Sequence, residues 1–411
     1  MKKKSKILIT YKNLLNHVQI NTEHNIEDKQ VYNNFVSLLI KEYQYQKNFD
    51  IDILENAINF NIRKNKNNKD IDYKSELNNL KDSIISNFDK QSSMHYIFCP
   101  LQGSSLNEDI RISNILFLKL ENDNEKFINK IANELNVPIQ DLKFFLEHTI
   151  NSRSKDFLNS NMLIIKVEAC NKYVRRYASE IIQDVFDFIR LIHTAYEEIN
   201  YLLKYKAIPG DENSHVAIFS NKNWECCHSH NWNAFLNLKI DLNFLKNPIN
   251  QNLLLKFISK YTLNKNETLP ETLRILYNAI KIFNRGMKYE RQDVEVCNLL
   301  LLTACESIIT QKHNEKRLRL CVLIPKIIGN PKQNSTNSSL IIDNLYRSRN
   351  NFVHSGKKMH HSFEENDLEV AQRMYALVLI KLFEYILNER IQSMENLNKN
   401  LNDLFEQSIF S

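Results

Sequence analysis

Tyr346-Arg347-Ser348-Arg349-Asn350-Asn351-Phe352-Val353-His354-Ser355-Gly356 is the stretch on which the reading of this chain turns. It sets an arginine, an adjacent amide and a histidine in the order Arg-Asn-x-x-x-His. A guanidinium is permanently charged, an imidazole exchanges a proton near neutral pH, and an amide can orient either one. Metal-free cleavage of a phosphodiester by an internal hydroxyl needs these groups. On a continuous α-helix Asn350 and His354 stand at i and i+4 and share a face. Arg349 and His354 are five residues apart, so their directions differ by about 140°. Their convergence needs either a helix end near Ser355-Gly356 or a second copy of the motif across a dimer.

Two apolar helical segments flank this stretch: Leu299 to Ile309 upstream, with the small residues Ala304 and Cys305 before Glu306, and Asp367 to Leu387 downstream. With these flanks the segment resembles the Arg-x4-6-His signature of HEPN ribonucleases, and roughly the last third of the chain resembles an Apea-like HEPN protein. The upstream helix is similar to that family's small-residue-then-Glu helix. The resemblance implies a C-terminal HEPN helical bundle over residues 261–411, with Arg349, His354 and Asn350 as catalytic residues. It also implies a homodimer with a composite cleft and an endoribonuclease that needs neither metal nor cofactor. In that chemistry the RNA 2′-hydroxyl attacks the neighbouring phosphorus and leaves a 2′,3′-cyclic phosphate and a 5′-hydroxyl. A defence or toxin effector, held inactive until a regulatory protein or other trigger acts, is the context implied. The alternative is a HEPN fold that binds RNA or a partner without cleaving. The runs Tyr96 to Gly103, Ile112 to Leu120 and Met162 to Cys170 resemble, in pattern alone, the strand-rich region that precedes such domains.

Composition bounds the rest. A chain of 411 residues is long for one domain, and two or three are expected. Only 5 Gly and 7 Pro argue against a sandwich or barrel built on many tight turns, so the chain is expected to be mainly α. No apolar run reaches the roughly 20 residues that span a bilayer, and Ile7-Leu8-Ile9 after the basic start is too short for a secretory signal. The seven cysteines are odd in number and scattered, which fits reduced thiols, with Cys297, Cys305 and Cys321 in the core. A cytoplasmic, membrane-free protein is the expectation. The net charge of +6 does not by itself establish a nucleic-acid partner.

Along the chain, residues 1–90 read as a helical region with polar loops, in which Val31, Phe35, Leu38 and Leu39 keep helical spacing. Residues 91–260 read as an α+β sensor or binding module, with β-rich runs at Tyr96-Ile97-Phe98, Ile115 to Leu118, Leu163 to Val167 and Val216 to Phe219. A long helix from about Tyr173 to Leu203 and a turn at Pro209 to Asn213 complete it. The last domain opens at Leu269-Pro270-Glu271, with Gly286 ending its first helix. Helices from Val294 to Ile309 and from Lys316 toward Ile328 follow, the second ended or kinked at Pro325. A polar loop covers Gly329 to Ser339, and a four- or five-helix bundle results.

Arg317, Arg319, Arg347, Lys357 and Lys358 cluster in sequence around the motif and are the expected RNA contacts; a solvated helix face is the other reading of such a run. Cys226-Cys227-His228-Ser229-His230 offers zinc-ligand types but lacks a second ligand pair at zinc-site spacing. No phosphate-binding glycine loop, dinucleotide fingerprint or nucleophile elbow occurs. Leu387, Ile391, Met394, Leu401 and Phe405 near heptad spacing fit either a short coiled coil or an amphipathic helix packed on the bundle.

Overall fold

The computed structural model describes residues 7–15, 26–42, 51–65, 71–101, 104–146, 159–196, 217–220, 241–262, 269–289, 293–310, 315–329, 332–355 and 365–410. These are mostly helical, with a small antiparallel sheet in the N-terminal half. Lys357, Lys358, residues 226–230 and the turn at residues 209–213 lie outside the described residues. The chain forms two compact units that divide at Ile182 and Gln183, within one helix.

The first unit opens with α1 (7–15), α2 (Ile26–Glu42), α3 (Ile51–Asn65) and α4 (Tyr73–Gln91). Phe35 and Leu39, one helical turn apart, share an apolar cluster with Tyr11, Leu54, Ile58, Leu80 and Ile84. A sheet follows, made of β1 (Ser92–Leu101), β2 (Ile110–Ile112), β3 (Ile115–Leu118), β4 (Asn161–Cys170) and β5 (Ala217–Ser220). Its order is β2-β3-β4-β1-β5 and every neighbouring pair is antiparallel. Ile97 lies opposite Ile165 on β4 and Ile218 on β5.

Tyr96, Phe98, Leu116, Leu118 and Ile164 join a core with Phe127, Ile131 and Leu135 of α5 (Asn124–Leu135) and Leu142 of α6 (Ile139–Phe144). Ile97, Cys99, Ile115, Phe117, Leu163 and Ile165, at the alternating positions, are buried as well. Burial on both faces explains why these strands read as near-continuous apolar runs instead of alternating with polar residues. Asp123 caps α5 by accepting from the Glu125 backbone at 2.8 Å, and Asn136 ends it in the left-handed conformation.

The second unit takes α7 (Asn171–Tyr196) from Gln183 onward, α8 (Pro248–Phe257) and the described residues from Leu269. This grouping differs from a division at residue 260. Its reason is aromatic: Phe188, Phe257 and Phe383 stack in a row with ring centroids 4.8 and 4.0 Å apart, which draws α7 and α8 into the helical unit. The remaining helices are α9 (Glu271–Tyr289), α10 (Val294–Ile309), α11 (Lys316–Ile328), α12 (Lys332–Ser355), α13 (Glu365–Asn388) and α14 (Met394–Phe410).

Several local expectations change here. Gly286 does not end α9, which continues to Tyr289. A Cβ at Gly286 would lie 3.1 Å from Leu300 Cβ and 3.3 Å from the Cys297 carbonyl oxygen, so the glycine serves close approach of α10. Helix α11 runs past Pro325 to Ile328 and stops at Gly329, whose φ is 72°. The polar stretch after it is helical from Lys332, because Ser339 Oγ donates to the Cys321 carbonyl oxygen at 2.7 Å and ties the segment to α11. The terminal heptad stripe is an amphipathic face: Ile391, Met394, Leu401 and Phe405 are buried, together with Leu397, and Leu387 is half-buried.

Charge is also buried in this unit. Lys281 Nζ donates to Asp184 at 2.6 Å and Asp187 at 2.8 Å, and Tyr277 donates to Asp184 at 2.6 Å. Burial alone would lower the Lys281 pKa, but the two carboxylates outweigh it and hold it above its ordinary value. Lys281→Met removes the cation shared by two almost fully buried carboxylates, of which Asp187 keeps Arg190, so it should destabilise the protein by about 3–5 kcal/mol, as read by denaturant titration. Because the lysine pKa is raised on folding, this contribution is full below the unfolded value of about 10.4 and disappears only as pH rises beyond it. The deficit should therefore be constant across neutral pH.

Candidate functional site

Helix α10 supplies the framework of the motif. It is buried along most of its surface and begins at Asp293, whose carboxylate accepts from the Val296 backbone at 3.0 Å. Two polar side chains leave it toward α12. Asn298 Nδ2 donates to the Leu345 carbonyl oxygen at 3.0 Å, and Glu306 Oε2 accepts from Arg349 NH2 at 3.4 Å. The pair Glu306 and Arg349 is well shielded, with side chains 9% and 20% exposed. Tyr346 lies under the guanidinium, 5.4 Å from ring centroid to Arg349 Cζ. Burial and then the Glu306 charge push the Tyr346 phenol up.

Asn350 completes the setting of Arg349: its Oδ1 accepts from Arg349 NH1 at 2.9 Å. The sequence singled out Arg349 and Asn350 as neighbours, and they are hydrogen-bonded to each other. His354 is exposed in the last turn of the same helix. Because α12 is continuous from Lys332 to Ser355, Arg349 and His354 diverge by the about 140° that a straight helix dictates. One chain does not bring them together.

The basic residues separate into three environments. Arg317 and Arg347 both bind Asp343, Arg317 through Nε to Oδ1 and Arg347 through Nε to Oδ2 at 2.9 Å. The hydrogen bond from Arg317 holds the Asp343 carboxyl below the usual carboxylate range. Arg319 is turned inward: it is 5% exposed and its Cζ stands 4.8 Å from the centroid of Phe405 on α14. Burial lowers its pKa. It therefore packs within the bundle, away from the exposed cationic face expected of it. Lys357 and Lys358 fall outside the described residues.

Between α11 and α12 lies an open groove of about 750 Å³ lined by Lys316, Arg317, Leu318, Cys321, Leu340, Asp343, Tyr346 and Asn350 among others. Cys321 is therefore half-buried and not a core residue like Cys297 and Cys305; burial and the nearby Asp343 push its thiol pKa up to about 11. Asp343 did not enter the sequence reading, although its i,i+4 spacing to Arg347 was visible. Among the described residues no group of three or more His, Cys, Asp or Glu side chains could hold a metal ion, and no helix is long and apolar enough to cross a membrane. Comparison with protein-family models, curated proteins and solved structures finds no match.

Asp343 joins the two walls of the groove electrostatically, and its depressed pKa gives a sign. The stabilisation is present above the unfolded value of about 3.9 and is lost as pH falls through the lower folded value. Asp343→Asn should thus melt below the wild type at pH 7, and the two melting temperatures should approach each other as the pH is taken below about 4.

Proposed function

We propose that this chain is a metal-independent endoribonuclease of the HEPN type that acts as a homodimer. The observation that carries the reading is the setting of Arg349: an interior carboxylate, an aromatic face and the Asn350 amide fix its guanidinium on the helix that also bears His354. A cation fixed in advance stabilises charge without reorganising as the reaction proceeds. In this reading Arg349 meets the extra negative charge of the phosphorane. His354 moves a proton to or from the reacting oxygens, and Asn350 orients the guanidinium. Since the two side chains diverge along one helix, the arginine of one copy acts with the histidine of another. The first unit is then the part that receives a trigger, in keeping with a defence or toxin effector.

The Glu306 ion pair favours a second reading. An arginine already neutralised by a carboxylate can be structural, and the chain would then be a HEPN-type subunit that binds RNA or a partner without cutting. The two readings separate on incubation with total cellular RNA in excess EDTA. The ribonuclease reading expects cleavage that persists in the chelator and leaves 2′,3′-cyclic phosphates. It also expects Arg349→Ala and His354→Ala each to cut about 10²- to 10⁴-fold more slowly. Equal cleavage by wild type and both variants would remove the assignment; binding without any cleavage would establish the second reading.

A further inference from the structure

The groove between α11 and α12 has an aromatic floor, Tyr346, which is 8% exposed. Leu318, 48% exposed, and Leu340, 58% exposed, stand at its rim on opposite walls. Asp343, with its side chain 20% exposed, and half-buried Asn350 flank Tyr346 on α12. Two flanking apolar surfaces with hydrogen-bonding groups between them suit a flat, polar-edged ring. A nucleobase is such a ring, apolar on its faces and rich in donors and acceptors along its edge.

The polar groups present both hydrogen-bonding senses. Asn350 Oδ1 is occupied by Arg349, which leaves its amide NH2 to donate. Each Asp343 oxygen accepts from one arginine, and a carboxylate has about four acceptor sites, so it can still accept from a base. The charges that line the groove balance, Lys316 and Arg317 against Glu315 and Asp343, and Arg347, bound to Asp343 beside the groove, adds one further cation. The groove-facing residues Asp343 and Asn350 are two helical turns apart, and His354 is one turn further along the same side of α12, a rise of about 6 Å. The volume of about 750 Å³ falls within the range of about 300–1,000 Å³ for ligand pockets.

We infer that this groove is the subsite for one unpaired nucleotide of the RNA, next to the phosphate that His354 serves. Leu318 and Leu340 cover the faces of the base, Asp343 and Asn350 read its edge, and Lys316 with the arginines holds the backbone. The inference rests on the ribonuclease reading for the position of the cut, while binding at the groove can be measured without it.

Fluorescence anisotropy with labelled hexamers of A, C, G and U, made uncleavable by 2′-deoxy substitution, provides the test. Leu318→Trp and Leu340→Trp fill the groove from opposite walls at exposed positions. Each should weaken binding about tenfold or more, as loss of one stacked base does, while leaving the melting temperature unchanged. Asp343→Asn should change the ranking of the four hexamers. Wild-type affinity in both tryptophan variants would overturn the subsite, as would failure of the wild type to bind any hexamer. Loss of dimerisation in the tryptophan variants, with RNA affinity kept, would also overturn it and make the groove a contact between copies. A wild type that binds but never cuts, with weaker tryptophan variants, would retain the subsite and reject the ribonuclease reading. Cleavage by the wild type with unaltered binding and base preference in the variants would do the opposite.

Discussion

Glu306 is a carboxylate carried inward on a largely apolar helix, where Arg349 and Tyr346 meet it. An ionised carboxylate with little access to water costs several kcal/mol unless a cation and hydrogen bonds compensate. That requirement fixes α12 against α10 at one point, and the bond from Asn298 to the Leu345 carbonyl fixes it at another. Two anchors on a rigid helix set both its rotation and its depth. Asn350, Asp343 and Ser339 are thereby turned toward α11, and His354 is left in the open.

The unit uses charge in two distinct ways. Around Lys281 the carboxylates of Asp184 and Asp187 are almost fully buried, and the network serves packing between α7 and α9. Around Asp343 one carboxylate and two cations sit at the border of an open groove. The first arrangement excludes exchange of partners. The second invites it, because a phosphate can displace a half-exposed guanidinium from a carboxylate at little cost.

What could be read in advance depended on whether the cause was local. Helix α10 was legible from its apolar run, and the strands other than β2 were legible from their β-rich runs. Gly286 was misread because a glycine that ends a helix and one that admits a neighbouring helix look alike until Leu300 is placed beside it. The stretch from Lys332 to Ser339 was misread because Asn, Ser and Thr have weak helix propensity, which the bond from Ser339 to α11 overrides. In the motif, the pairing of Arg349 with Asn350 was adjacent in sequence. The pairing with Glu306 spans 43 residues and needs the fold. Arg319 counted as surface cation only while Phe405 on α14 was unseen.

The first turn of α9 and the first turn of α14 are also clasped: Thr272 Oγ1 donates to the Ile391 carbonyl at 2.6 Å, and Glu271 accepts from the Met394 backbone at 3.1 Å. These residues are more than a hundred positions apart, so the clasp closes a long loop and forms only after both ends exist. During synthesis α9 leaves the ribosome long before α14 does. The helix bearing Arg349 and His354 is therefore made while its unit is still unclasped, and the nascent chain passes through a stage in which every motif residue and the α10 framework are present but the clasp that closes the unit is not.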